Sequence, residues 1–211
     1  FRQLRDDPTY QDDRTINVNS RLALDLWMPA GWGIDLIIGS ANKCIRGVPG
    51  VSFVVISNEF FEVLSKRRQL AFSTDLVGTL KREEGGETPF PPPVQTMYAL
   101  REAARELMEE GVANRISHYR GIAKTLRDGL SSLELDFLMP RESLSNTMTS
   151  VMLPDGVAYP DLHGPMKERG YVIYKSQGRL SQTTFRLGTV GVITPDDIRS
   201  FLHALEEVLG R

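Results

Sequence analysis

The chain has 211 residues, 41% of them hydrophobic and 25% charged, with a net charge of −2. That length suits one large domain or two small ones, the composition is that of a soluble globular chain rather than a disordered one, and the near-neutral balance gives no electrostatic reason to expect nucleic acid or an anionic membrane as partner. The single cysteine, Cys44, rules out an intrachain disulfide, no apolar run approaches the ~18 residues of a membrane span, and no signal peptide is evident, so the expected compartment is the cytoplasm.

The chain opens on Phe1 rather than methionine and continues through a polar, charged stretch, so it reads as a fragment, a processed product or a truncated gene product. Residues 15–19 can form a short, weak strand. Residues 21–33, broken by Pro29 and Gly31, form an irregular connection that fits neither helical nor strand periodicity. Residues 34–38 and 51–56 are short, rich in β-branched side chains and bounded by glycine and proline, the pattern of two buried strands. Between them lies Ser40-Ala41-Asn42-Lys43-Cys44-Ile45-Arg46-Gly47-Val48-Pro49-Gly50. A lysine in a tight turn between core strands has its stem packed and its amine partly desolvated, which frees the lone pair for attack on a carbonyl. The same spacing also suits an ordinary surface lysine at a loop tip. Cys44, with no histidine close in sequence, reads as a packed core thiol.

Asn58 can cap a helix beginning at Glu59, with Phe60, Phe61, Val63 and Leu64 on its buried side and Lys66, Arg67 and Arg68 at its C-terminal turn. Residues 81–93 are expected as an extended loop, because the prolines at 89, 91, 92 and 93 suit neither a helix interior nor a central strand. A helix is predicted over 94–110, with Met97, Leu100, Ala104, Leu107 and Met108 on one side and Gly111 ending it. A second follows over 113–131, carrying Ile116, Tyr119, Ala123, Leu126 and Leu130 at helical spacing. Strand-like segments recur at 135–139, 147–153, 171–174 and 184–187, with a short helix over 159–169. Thr194-Pro195-Asp196-Asp197 supplies an N-cap, a proline in the first turn and two acids on the positive end of the dipole. The helix it opens has an apolar face of Ile198, Phe201, Leu202, Leu205, Val208 and Leu209. Residues 1–112 thus read as core strands with helices, and 113–211 as a compact α+β unit with three or four strands and helices on one face.

His118, His163 and His203 show no metal-ligand spacing, and the Glu83-Glu84 and Arg67-Arg68 pairs read as solvated surface. Arg186 stands apart. It lies in Phe185-Arg186-Leu187-Gly188-Thr189-Val190-Gly191, inside an apolar strand pattern that ends in glycines. There it is either an oxyanion receptor with its fork near backbone or one half of a structural ion pair with a core carboxylate.

The turn from Ser40 to Gly50 closely resembles the cofactor-lysine motif of the 2-aminoethylphosphonate–pyruvate aminotransferases, class V enzymes of the fold-type I pyridoxal-phosphate group. Pro89-Phe90 to Leu100 is similar to that family's loop into a long helix, Tyr171-Val172-Ile173-Tyr174 to its late strand, and Phe185-Arg186-Leu187-Gly188 to its substrate-arginine strand. The resemblance runs from about Ile34 to the end and lacks the family's N-terminal portion. It implies an α/β fold: the C-terminal part of a large pyridoxal-phosphate domain (1–112), then a small α+β domain (113–211).

By this resemblance Lys43 forms the Schiff base with pyridoxal 5'-phosphate and moves the substrate proton, since only a primary amine can form the imine, be displaced and return as a base. Ser40 and Asn42 are implied near the cofactor phosphate, and Arg186 at the acid group of the substrate. The implied reaction moves the amino group of 2-aminoethylphosphonate to pyruvate, giving phosphonoacetaldehyde and L-alanine in a homodimer. Counting back without gaps puts the family's ring-nitrogen aspartate at Asn17, an amide that cannot stabilise the pyridinium charge in the same way. With a gap, Asp12, Asp13 or Asp25 could take that place. Pro91 stands where the family carries a threonine that reaches the partner's cofactor phosphate. Two other readings stay open: a class V enzyme acting on alanine, serine or glyoxylate, and an inactive truncated remnant serving at most as an interaction module.

Overall fold

A computed structural model describes residues 35–67 and 71–210. The readings at 15–19 and 21–33, with Asn17, Asp12, Asp13, Asp25 and Arg68, lie outside the described residues. The chain divides into two compact units, one ending at Glu106 and the other beginning at Leu107.

In the first unit, strands β1 (Leu36–Ser40) and β2 (Ser52–Ile56) pair antiparallel, with Leu36 opposite Ile56 and Ser40 opposite Ser52. The expected strands are present, but β2 is not buried: Val55 is 58% exposed and Val54 is also exposed. A β-branched run reads alike whether one face or both are covered, and among the described residues β2 has β1 as its only ladder neighbour. Helix α1 (Asn58–Ser65) is capped by Ser57, whose hydroxyl accepts from the Phe60 N–H at 3.1 Å, so the cap lies one residue before the expected Asn58. Its apolar side is only partly covered, and Val63 is exposed.

The expected 81–93 loop begins later than the sequence pattern suggests. Helix α2 (Leu76–Glu84) takes its first four residues, capped by Asp75, whose carboxylate accepts from the Gly78 N–H at 2.8 Å. Lys81 and Arg82 fall in its last turn, where cations suit the dipole. Helix α3 (Val94–Glu110) has the expected bounds and turns most of the expected side inward, with the two methionines left out. Ala103 is buried and Thr96, Ala99, Leu100, Ala104 and Leu107 are half-buried, whereas Met97 is exposed and Met108 is 82% exposed. The two methionines sit on the flank of the stripe, so they are not core.

The second unit closes around a single sheet. Helix α4 (Val112–Ser132) follows Gly111, whose φ of 84° is the left-handed turn that a glycine makes cheaply. Strand β3 (Met148–Met152), β4 (Tyr174–Lys175) and β5 (Thr184–Gly188) pair antiparallel in the order β3-β5-β4. Val151 of β3 faces Phe185 of β5, and Thr149 faces Leu187. The segment at 135–139 is no full strand: Phe137 makes an isolated bridge to Val151, and the Leu138 N–H donates to Ser150 at 3.1 Å. The chain leaves α4 through Glu134 at φ 53° and meets Pro140 soon after, which leaves no room for a longer ladder.

Helices α5 (Tyr159–Glu168) and α6 (Pro195–Leu209) complete the unit. Ile122, Leu126 and Leu130 of α4, Leu162 and Met166 of α5, and Phe201 and Leu205 of α6 join Val151, Phe185 and Leu187 in one apolar cluster. Each such side chain contributes roughly 1.5–3 kcal/mol when fully buried. Leu202 of α6 lies over Gly129, where a Cβ would stand 2.1 Å from the leucine side chain, so glycine at 129 is what lets the two helices approach.

Two buried arginines had no signal in the apolar periodicity. Arg115, 1% exposed, pairs with Glu110 through Nη2 at 2.5 Å and Nε at 2.6 Å. Burial pulls its pKa down, but the hydrogen bond and charge of Glu110 outweigh that and hold it above the ordinary arginine value. Arg127 donates to the Thr149 hydroxyl and the Ser145 carbonyl, tying α4 to the start of β3.

Candidate active site

The lysine turn is held by backbone geometry. The Ala41 N–H donates to the Val51 carbonyl at 3.0 Å and closes the base of the loop just beyond the Ser40–Ser52 pair. Within it, the Gly47 N–H donates to the Ala41 carbonyl at 2.8 Å and the Arg46 N–H to the Lys43 carbonyl at 2.9 Å. A Cβ at residue 47 would lie 3.0 Å from the Ala41 oxygen and 3.3 Å from its Cβ, so the fold of the loop back on itself depends on that glycine. Arg46 has φ 66°, a conformation costing a non-glycine residue about 1 kcal/mol or more, and the hydrogen bond to Lys43 helps to hold it there.

Ala41 and Cys44 are buried and act as the anchors of the turn, while Asn42 and Lys43 between them are half-buried. The expected packed thiol is thus observed. Lys43 is thus partly covered on a braced loop. Ser40, half-buried, ends β1 directly before the turn. The start of α3 approaches from the same unit, for a Cβ at Gly50 would stand 3.4 Å from Thr96. In the loop before α3, Phe90 packs edge-on against Phe72 at 5.3 Å, and Pro91 is exposed.

Arg186 belongs to the second unit. Strand alternation sends Phe185 and Leu187 into the core and Arg186 to the opposite face of the sheet, where it is half-buried. Its Nη2 donates to the Lys175 carbonyl at 3.0 Å, and its Nε is shut off from solvent with no hydrogen bond. Among the described residues it pairs with no carboxylate, so the structural ion pair is not made there. Register sets Arg186 directly opposite Ser150 on β3 and Tyr174 on β4. Sequence reading missed this row because nothing in a single strand reveals its partner's register.

No family model matches the chain. By sequence it is 36% identical to a 2-aminoethylphosphonate–pyruvate transaminase of Syntrophobacter fumaroxidans, over 85% of this chain and 49% of that protein. A transaminase of the same name from Aeromonas hydrophila is 35% identical over 82% of this chain and 46% of its own length. In structure it is similar to an alanine–glyoxylate aminotransferase from Nostoc sp., with TM-score 0.76 and 26% identity, over 84% of this chain and 48% of that one. A ureidoglycine–glyoxylate aminotransferase from Bacillus subtilis gives TM-score 0.74 and 25% identity, covering 85% of this chain and 48% of the other. The chain spans about half the length of the curated relatives it matches. Its fold is the mixed α/β fold of these aminotransferases, in the portion the expected C-terminal assignment calls for. Over more than four-fifths of its own length the chain is thus homologous to transaminases named for 2-aminoethylphosphonate and pyruvate, and it shares its architecture with class V aminotransferases.

Proposed function

We propose that this chain carries the lysine turn and acid-binding strand of a pyridoxal-phosphate aminotransferase that moves the amino group of 2-aminoethylphosphonate to pyruvate. The observation that carries the reading is the braced turn at Lys43, a half-buried primary amine on a backbone-locked loop, in a chain 36% identical to a transaminase of that name. The described residues fit the cofactor. Lys43 offers the amine that would hold it, and Ser40 and Asn42 offer a hydroxyl and an amide for its phosphate. Asn17 remains the sequence assignment for the ring-nitrogen neighbour. When bound, pyridoxal phosphate supplies an electron sink for the charge that develops on the substrate carbon.

The protein's own residues do the rest. Locked backbone around Lys43 limits where Nζ can travel, so the free amine can take the proton from the amino-bearing carbon of the substrate without a search. Arg186 binds the acid group, phosphonate in one half-reaction and carboxylate in the other, and its tether to the Lys175 carbonyl orients the fork before substrate arrives. The proposed division is a large-domain portion at 1–112 and a small domain at 113–211. The proposed assembly is a homodimer in the cytoplasm; among the described residues no helix is long and apolar enough to cross a membrane.

Incubating the protein with pyridoxal phosphate, reducing with borohydride and mapping peptides should find a pyridoxyl group on Lys43 and none in Lys43→Ala. Label spread over surface lysines, with none on Lys43, rejects the reading. The structural likeness to an alanine–glyoxylate enzyme supports a second one, a class V aminotransferase acting on alanine, serine or glyoxylate. The Asn42-Lys43-Cys44-Ile45 wording favours the phosphonate enzyme, and relative turnover of 2-aminoethylphosphonate and serine separates the two.

A further inference from the structure

We propose that Ser150 determines specificity at the Arg186 site by adding a hydroxyl donor for a tetrahedral phosphonate that a planar carboxylate does not need. The inference rests on Arg186 being the acid-binding residue and goes beyond it in naming the group that distinguishes the two acids.

Ser150 and Arg186 are register partners on neighbouring antiparallel strands, so their side chains leave the same face of the sheet with Cβ atoms about 4.5–5.5 Å apart. That face lies opposite the core, since Thr149 and Val151 on one strand and Phe185 and Leu187 on the other are buried beneath it. The Arg186 guanidinium is tied through Nη2 to the Lys175 carbonyl, on the strand away from Ser150. The Ser150 hydroxyl makes no hydrogen bond among the described residues. Two positions along β5 on the same face, Gly188 carries no side chain, and a Cβ built there meets nothing within 4 Å. The sheet face around Gly188 is therefore open, with the unused Ser150 hydroxyl in the row beside it, and the buried Arg186 Nε makes no hydrogen bond. A buried unsatisfied donor favours an arriving oxyanion.

The two acids differ in what they ask of this floor. A carboxylate presents two oxygens in one plane, which a guanidinium fork can saturate by itself. A phosphonate presents three oxygens in a tetrahedron, and one is left over when the fork has taken two. Ser150 is a cross-strand donor for that third oxygen, on the side of Arg186 away from its Lys175 tether, and a hydrogen bond to a charged group contributes roughly 1.5–3 kcal/mol.

The test uses methylphosphonate and acetate, which share a methyl group and differ only in the acid. Each is titrated into the full chain and followed by NMR at the Arg186 Nε–H and the β3 and β5 amides. Ser150→Ala should weaken methylphosphonate about tenfold, equivalent to ~1.4 kcal/mol, and change acetate less than twofold, with thermal unfolding unmoved. Ser150→Thr keeps the hydroxyl on a strand-compatible side chain and should restore phosphonate binding. Equal weakening of both acids, or of neither, overturns the specificity role while leaving Arg186 in place. If Arg186→Ala changes nothing, or the wild-type chain binds neither acid at these residues, the acid-binding reading falls and this inference with it.

Discussion

Lys43 and Arg186 are held in place by different physics. The unit beginning at Leu107 packs three helices over one face of a three-stranded sheet and encloses a continuous apolar cluster, so Arg186 stands on a strand whose reverse face is fully committed. In the described part of the unit ending at Glu106, the buried residues are scattered (Leu36, Ala41, Cys44, Val77 and Ala103), and several large apolar side chains remain exposed. There the lysine turn keeps its shape through three backbone hydrogen bonds and a close approach at Gly47. One candidate residue is positioned by a core and the other by a loop that satisfies its own polar groups, so core mutations and loop mutations should act on different observables.

Truncation of the same kind in each unit gives the largest contrast. Phe185 is completely buried, and Phe185→Ala should cost roughly 3–5 kcal/mol in urea unfolding of the whole chain. Val55 is mostly exposed, and Val55→Ala should cost under about 1 kcal/mol. Comparable losses at the two sites would mean that β2 is as deeply supported as β5, and the contrast would have to be abandoned.

The Glu110–Arg115 pair sharpens the comparison within the second unit. Glu110→Ala removes the charged partner of a cation that is 1% exposed, whereas Arg115→Met replaces the guanidinium with an apolar group of similar reach. Breaking a fully buried pair costs roughly 3–5 kcal/mol, and the partial exposure of Glu110 should reduce this to about 2 kcal/mol. Arg115→Met should cost less than Glu110→Ala. The reverse order, read from unfolding midpoints at constant slope, would show the pair to be a net source of stability rather than a matched burial.

What the sequence made legible follows from the same division. Helices α3, α4 and α6 could be read because their apolar spacing runs over several turns and their ends carry strong signals, Gly111 in one case and Thr194-Pro195-Asp196-Asp197 in another. Helix α2 could not. It is only nine residues long, and Lys81-Arg82-Glu83-Glu84 before two glycines looks like a polar loop unless Asp75 is recognised as its cap. The lysine turn was found by its wording, because periodicity says nothing about a loop. Burial of β2 was misjudged, since the number of ladder neighbours is a property of the sheet and not of the strand. The pairing of Ser150 with Arg186 depends on register, which only the assembled sheet supplies.

The smallest effect belongs to the start of α6, where local chemistry and not the core is at stake. The Thr194 hydroxyl accepts from the Asp197 N–H at 3.2 Å, and the Asp197 carboxylate accepts from the Thr194 N–H at 2.8 Å and its hydroxyl at 2.7 Å. Thr194→Ala should cost about 1 kcal/mol and Thr194→Ser far less, because the cap needs the hydroxyl and not the methyl. Those bonds from the Thr194 hydroxyl and N–H hold the Asp197 carboxyl below its ordinary pKa. A depressed folded pKa contributes stability that is fully present above the unfolded value of about 3.9 and is lost as pH falls through the folded value. Asp197→Asn should therefore lower stability at neutral pH and flatten the decline below about pH 4. Thr194→Ala should flatten the same limb, because it removes the bond that depresses the pKa. An acid limb that keeps its slope in both variants would separate the cap from the titration and leave the proline and the helix dipole as what starts α6.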